Sequence, residues 1–185
     1  MVNRLFGEKQ LVYRVQAKKD PNAFALLYDL YIQKIYRFVF LKLSNKEEAE
    51  DTTSEVFLKA WNYLIDESHG DIQSFSGLIY KIARNAVIDV YRKRSQKQEF
   101  SLEFGEHLEA STSAIDEIHA SHDTTELLSK LKTLKTEYQE VIVFRYIDEL
   151  SIAEIGQILG KKQVAVRVTL HRAMKILKSM IDPHE

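Results

Sequence analysis

The sequence has no cysteine among its 185 residues. This excludes disulfide bonds, thiolate zinc sites and thiol nucleophiles, so the fold has to rest on packing alone. It also has no apolar run of about 18 residues and no signal-peptide segment near Met1, from which we expect a cytoplasmic protein. Only two prolines and six glycines interrupt the chain. So few breakers favour long, regular elements.

The residues that are present have a helical pattern. Apolar side chains recur every three or four positions and no segment alternates as a strand does, which predicts an all-α protein. Asp20 as N-cap and Pro21 in the first turn predict a helix that runs to about Leu43. Ser44 and Glu47 have the spacing of a capping box, which predicts that a second helix begins there.

The second and third helices each have two different faces. Apolar residues predict the packed side of the second helix (Ala49, Thr53, Val56, Ala60 and Leu64), and its other face is acidic (Glu48, Asp51 and Glu55). A loop is predicted over residues 66–74, and Ser76 is predicted to cap the third helix. That helix has an apolar stripe (Ile79, Ile82, Ala83, Ala86, Val87 and Val90). Its opposite face is polar and mostly basic (Lys81, Arg84, Asn85, Asp89, Arg92 and Lys93).

The net charge of -1 hides three charged blocks. Residues 76–98 contain six basic residues and one acid, residues 99–128 contain eight acids and no Lys or Arg, and residues 160–178 contain six basic residues and no acid. Distribution, not the sum, sets the local field that attracts a nucleic acid. The acidic stretch from about Gln96 to Thr125 lacks periodic apolar residues, so we expect a mobile linker there.

A second domain is predicted to begin near Leu127. Thr136 with Gln139, and Ser151 with Glu154, have the spacing of capping boxes.

Residues 151–173 have the pattern of a helix-turn-helix. Ile155, Ile158 and Leu159 face inward, Gly156 is small where helices cross, and Gly160 ends the first helix. The second helix is predicted to start near Gln163, with Val166, Leu170 and Leu177 on its buried side. Its exposed polar side chains are suited to a DNA groove and to phosphates (Lys162, Gln163, Arg167, His171 and Arg172).

Three motifs in this order resemble the sigma factors of bacterial RNA polymerase, in the extracytoplasmic-function (ECF) group of the sigma-70 family. Residues 50–61 (EDTTSEVFLKAW) are similar to the part of region 2 that binds the polymerase, and residues 75–94 (FSGLIYKIARNAVIDVYRKR) to the part that recognises and melts the downstream promoter element. Residues 138–146, 150–156 and 170–173 resemble region 4, which reads the upstream element. The chain departs from the family at Lys161, Lys162 and Val164, just before the recognition helix.

The resemblance implies two small helical domains joined by a flexible acidic linker. We expect a region 2 domain over residues 1–95, a linker over 96–126 and a region 4 domain over 127–185. The implied partners are core RNA polymerase, double-stranded promoter DNA, the melted non-template strand and an anti-sigma factor. A contact with the membrane is expected only through the anti-sigma factor. No enzymatic activity, cofactor or metal is implied.

The resemblance also assigns candidate residues to three sites. Those for polymerase binding are Glu48, Asp51, Glu55, Phe57 and Trp61. Those for the downstream element are Phe75, Tyr80, Lys81, Arg84, Asn85, Asp89, Arg92 and Lys93. Those for the upstream element are Lys161, Lys162, Gln163, Ala165, Arg167, Val168, His171 and Arg172.

Three other functions remain open from the sequence alone. A dimeric helix-turn-helix regulator would bind a two-fold symmetric operator without polymerase. A metal-dependent enzyme could use the acidic and histidine residues of the linker (Asp116, Glu117, His119, His122 and Asp123). A helical adaptor would bind no DNA at all. The linker, being acidic, could also cover the basic faces when no DNA is bound.

Overall fold

The structure, a computed structural model, describes residues 2–68, 72, 74–102, 130–131 and 133–181, with the backbone alone at 2–6 and 97–102. Within these residues the chain is helical and contains no strand, which confirms the predicted all-α class. The chain divides into two compact units, Met1–Ala114 and Ile115–Glu185.

In its described residues, the first unit is a bundle of four helices: α1 (Val2–Lys18), α2 (Pro21–Leu43), α3 (Lys46–Ile65) and α4 (Phe75–Leu102). Helix α2 packs against the other three, and α3 packs against α4. Its core is built of large apolar side chains, the largest of which are fully buried (Leu27, Ile35, Phe38, Leu64, Phe75, Ile79 and Tyr80). Burial of this surface is the main force that holds the bundle together.

Helix α1 was not predicted from the sequence. Val12 and Val15 are buried and lie three positions apart, as on one face of a helix. Two polar contacts join α1 to α2 and its cap. The Arg14 guanidinium pairs with Asp20 at 2.6 Å, and the Tyr31 hydroxyl donates a hydrogen bond to the Glu8 carboxylate at 2.5 Å. Both partners lie on α2 or at its cap, so α1 belongs to the bundle.

The start of α2 is as predicted and the start of α3 is not. The Asp20 carboxylate accepts hydrogen bonds from the backbone N–H groups of Asn22 and Ala23. The predicted Ser44 cap is wrong, because Ser44 ends α2 in a left-handed conformation with φ 54°. Asn45 caps α3 instead, and its side chain accepts from the Glu48 N–H at 2.9 Å.

Helix α4 begins earlier and ends later than the sequence indicates. The Ser74 hydroxyl accepts from the Gly77 N–H at 3.2 Å, so Ser74 caps the helix, and Ser76, which is buried, does not. The helix continues to Leu102, past Gln96, where the linker was expected to begin. The remainder of the expected linker, with the five residues considered as metal ligands, lies outside the described residues.

The second unit contains α5 (Thr136–Ile142), a π-helical segment (Val143–Ile147), α6 (Ile152–Leu159) and α7 (Gln163–Ile181). Helix α7 packs against both α5 and α6. The predicted cap at Thr136 is wrong: the helix starts after Lys135 without a side-chain cap, and the Gln139 amide donates to the Leu134 carbonyl instead. The other predicted box, Ser151 with Glu154, is confirmed.

The described residues contain neither a membrane-spanning helix nor a metal-binding cluster. None of the described helices has the length and apolar content needed to cross a membrane. In the same part of the chain no three His, Asp or Glu side chains are grouped so as to hold a metal ion.

Candidate nucleic-acid interface

The turn between α6 and α7 is fixed by local backbone geometry. At the start of α6, the Ser151 hydroxyl accepts from the Glu154 N–H while the Glu154 carboxylate accepts from the Ser151 N–H at 2.8 Å. At the end of α6, Gly160 takes the left-handed conformation with φ 65°, which glycine adopts without strain. The Lys161 N–H then donates to the Gly156 carbonyl at 2.8 Å, which closes the turn.

Gly156 explains why the turn can be so tight. A Cβ at this position would lie 2.7 Å from the carbonyl oxygen of Lys161, closer than real Cβ contacts come. The residue was predicted to be small because helices cross there. The structure places Val166 of the crossing helix 4.0 Å from that Cβ position, and the backbone of the turn itself lies closer still.

Helix α7 buries one side and exposes the other. Val166, Ala173 and Leu177 are buried against α5 and α6, and Leu170 is half-buried. All eight residues proposed for the upstream element are exposed, on the turn and on the first three turns of the helix (Lys161, Lys162, Gln163, Ala165, Arg167, Val168, His171 and Arg172). Together with the absence of acid from residues 160–178, this gives a basic, solvent-facing surface that we call the recognition face.

One member of the recognition face already has an acidic partner. The Lys161 ammonium lies 2.5 Å from the Glu137 carboxylate of α5, which also accepts from the Thr169 hydroxyl at 3.3 Å. The hydrogen bond from Lys161 holds the pKa of Glu137 below its ordinary value. Sequence reasoning missed Glu137, because its partner lies 24 positions further along the chain.

In the first unit, α4 presents the polar face that was predicted. Lys81, Asn85, Arg92 and Lys93 are exposed, while Arg84 and Asp89 are half-buried. Asp89 lies 3.3 Å from Arg92, one turn further along the helix. This face is therefore basic, with an internal ion pair in its middle.

The two aromatic residues proposed for the downstream element are core residues. Phe75 is 1% exposed and packs edge-on against Tyr31, and Tyr80 is 0% exposed and packs edge-on against Phe38. A buried ring offers no face on which a base can stack. In this conformation neither side chain can contact DNA.

The acidic face of α3 is partly occupied by cations of the same unit. Glu48 pairs with Arg94 of α4, which also donates to the Leu43 carbonyl at 3.2 Å, and Glu55 pairs with Lys59 at 2.7 Å. Asp51 is exposed. The face remains acidic, but two of its three carboxylates already have a partner.

The aromatic residues of α3 differ in their exposure. Phe57 is 3% exposed and belongs to the core, and Trp61 is half-buried with its ring 5.1 Å from that of Phe24. Leu58, in contrast, is 61% exposed. One solvent-facing stripe of α3 contains Asp51, Glu55 and Leu58, which are spaced four and three positions apart. The spacing from Asp51 and Glu55 could have indicated from the sequence that Leu58 lies on the acidic face. Its aromatic neighbour Phe57 was predicted instead.

Comparison with protein families gives two matches, in the order in which the units occur. Residues 27–97 match the family model "Sigma-70 region 2" and residues 124–177 match "Sigma-70, region 4". The chain is 33% identical over 176 residues to the ECF RNA polymerase sigma factor SigW of Bacillus subtilis, covering 90% of this chain and 93% of SigW. It is 31% identical over 175 residues to the ECF sigma factor BldN of Streptomyces coelicolor; the match covers 93% of this chain but only 65% of BldN.

Solved structures share the fold. CnrH, solved in complex with the cytosolic domain of CnrY, matches with a TM-score of 0.70 at 20% identity, over 97% of this chain and 99% of that one. The sigma factor RpoE of Bartonella quintana, solved in complex with the anti-sigma factor NepR, matches with a TM-score of 0.68 at 20% identity, over 88% and 98%. At this identity the likeness concerns the fold.

Proposed function

Since this chain belongs to the ECF group of the sigma-70 family, we propose that it binds core RNA polymerase and directs it to specific promoters. The observation that carries the proposal is a basic helix-turn-helix in the second unit, on the same chain as an acidic helix in the first. A sigma factor needs both: one surface for DNA and one for the polymerase. It makes and breaks no covalent bond, so we propose a specificity subunit and not an enzyme.

The recognition face would bind the upstream promoter element. In helix-turn-helix proteins the N-terminal residues of the second helix contact base edges in the major groove, while basic side chains bind phosphates. Gln163 and Arg167 lie in the first turns of α7 and carry the hydrogen-bonding groups suited to base edges. Lys162 and Arg172, exposed on either side of them, are suited to the backbone.

The basic face of α4 would bind the downstream element. Lys81, Arg92 and Lys93 are exposed cations that can hold the phosphates of a duplex or of the displaced strand. Because Phe75 and Tyr80 are buried, we assign them to the core and do not include them among the DNA contacts. The start of the second domain near residue 127 remains part of the proposal, and the end of the first domain moves to about residue 102, where α4 ends.

The exposed stripe of α3 would bind the polymerase. Asp51 and Glu55 supply charge that attracts a basic partner, and Leu58 supplies the apolar contact that Phe57 cannot make from inside the core. Trp61, half-buried beside this stripe, would extend the contact.

We expect Leu58→Ala to weaken polymerase binding about tenfold, in the range of a buried interface side chain. Tyr13→Ala, at an exposed position of α1, is the control.

We also propose an anti-sigma factor as partner. CnrH and the Bartonella RpoE were each solved with a protein bound, which for RpoE is an anti-sigma factor. A polymerase subunit acts where the polymerase is, in the cytoplasm.

Reconstitution with core polymerase tests the proposed function. The full chain is mixed with core enzyme and genomic DNA, and the transcript starts are sequenced. We expect a set of starts that share an upstream motif and that core enzyme alone does not produce. A dimeric helix-turn-helix regulator would instead form a stable homodimer, bind a symmetric operator and leave the core enzyme unaffected; that result would overturn the proposal.

A further inference from the structure

Two valines form the centre of the recognition face. Val164 is 68% exposed and Val168 is 44% exposed, and they lie one turn apart on α7. Val166, Ala173 and Leu177 bury the other side of the helix. At 100° per residue, Val164 and Val168 point almost directly away from that buried side.

These valines contribute little to the stability of the unit, because much of each side chain stays in water. A β-branched residue is a poorer helix former than alanine because the preceding turn restricts its side chain. A side chain that stays in water gains nothing from burial. A single exposed valine would be unremarkable. Two of them in the middle of an otherwise basic surface, at the turn that a helix-turn-helix presents to DNA, point to a bound state in which they are covered.

The charge around them indicates what covers them. Lys162, Arg167 and Arg172 are exposed beside the valines, and no acid occurs from residue 160 to residue 178. Such a surface favours a polyanion over an ordinary protein surface. In the major groove the apolar group that a DNA duplex presents is the C5 methyl of thymine.

We propose that Val164 and Val168 read thymine methyl groups, and so set the sequence preference of the recognition face. This inference rests on the proposed function, since it requires that α7 enters the major groove of an upstream element. Gln163 and Arg167 flank the valines with donors suited to purines. The preferred element therefore contains thymine, on either strand, beside purines that face the first two turns of α7.

The test uses the full chain bound to core polymerase and a promoter library whose upstream segment is randomised. Duplexes enriched by the holoenzyme are sequenced, and each upstream thymine is then replaced singly by deoxyuridine, which removes the methyl and leaves the base pair intact. We expect one or two positions at which this replacement weakens binding about fourfold, the effect of one buried methyl.

Variants then assign the methyl to a side chain. Val164→Ala and Val168→Ala keep or raise helix propensity, so the unit should fold as before. We expect each variant to bind the thymine duplex about as weakly as the parent chain binds the deoxyuridine duplex, with no further loss on the deoxyuridine duplex. Ile181→Ala, exposed at the far end of α7, is the control and should leave the fourfold difference unchanged.

Each other outcome contradicts the inference. Deoxyuridine tolerated at every position, with promoter-specific initiation intact, removes the methyl readout and leaves the proposed function standing. Weaker binding of the valine variants to core polymerase in the absence of DNA would assign the valines to a protein contact. If the holoenzyme enriches no duplex at all, the proposed function fails and the readout fails with it.

Discussion

Gly156 lies where the helix-turn-helix has no room for a side chain. Because a Cβ there would come within 2.7 Å of the Lys161 carbonyl, Gly156→Ala has to displace the turn that carries Lys161 and Lys162. We expect the variant to lose about 1–3 kcal/mol of stability in the second unit, the usual cost of overpacking. Thermal unfolding followed by circular dichroism measures this loss, and DNA binding should weaken with it. Gly7→Ala in α1, where a Cβ would meet nothing within 4 Å, should be neutral or stabilising.

The Glu137–Lys161 pair predicts a pH dependence. The folded-state pKa of Glu137 lies below its ordinary value of 4.5, so the carboxylate stabilises the fold above that value, and this contribution is lost as pH falls through the lowered pKa. Both side chains are well exposed, so we expect less than about 1 kcal/mol. Urea unfolding at pH 7 and at about pH 3 should show Glu137→Gln less stable than the parent at pH 7, with a smaller difference between the two in acid.

A double-mutant cycle separates the pair from other effects of Glu137. With Lys161→Ala already present, Glu137→Gln should have almost no effect at either pH. An effect of full size in that background would show that the carboxylate acts on another group, such as Thr169.

At the scale of the elements, caps decide where helices begin. Asn45→Ala removes the side chain that accepts from the Glu48 N–H, so we expect a loss of about 1 kcal/mol in the stability of the first unit. Ser44→Ala should leave stability nearly unchanged, because Ser44 ends α2 and does not cap α3. Chemical denaturation of the two variants measures both losses of stability. A larger loss for Ser44→Ala than for Asn45→Ala would instead favour the capping box of Ser44 and Glu47 that the sequence predicts.

The sequence predicts some of the features whose cause lies within a few residues, although the predicted caps at Ser44, Ser76 and Thr136 are wrong. Asp20 with Pro21, Ser151 with Glu154, and Gly160 are local signals, and the structure confirms each of them. They succeed because a cap or a helix stop needs only the backbone next to it.

Features that depend on which distant helix covers a residue are not predicted. Phe57, Phe75 and Tyr80 were proposed as contact residues and are buried, since the choice between the core and the surface is made by helices distant in sequence. Arg94 forms an ion pair with Glu48, which lies 46 positions earlier in the chain, and no residue near either of them indicates this pair. The exposed positions of α7 were predicted correctly because one basic helix with a clear apolar side specifies its own solvent face.

At the scale of the whole molecule, function depends on where charge lies and not on its sum. The net charge is -1, yet residues 160–178 carry six basic residues and no acid. A protein that neutralises phosphates releases counterions, so the logarithm of its binding constant falls linearly with the logarithm of the salt concentration, by about 0.9 for each phosphate contacted. The local cations should therefore set this slope, and the net charge should not.

Two substitutions that change net charge equally test this statement. Lys162→Ala removes an exposed cation of the recognition face, and Lys59→Ala removes one that pairs with Glu55 on α3 of the other unit. We expect Lys162→Ala to lower the salt slope of upstream-duplex binding by about 0.9, and Lys59→Ala to leave it unchanged. Fluorescence anisotropy of the full chain on the enriched duplex, from about 50 to 200 mM salt, measures both slopes. Equal slopes for the two variants would mean that the field of the whole molecule governs binding, and the recognition face would then lose its role as the DNA-binding surface.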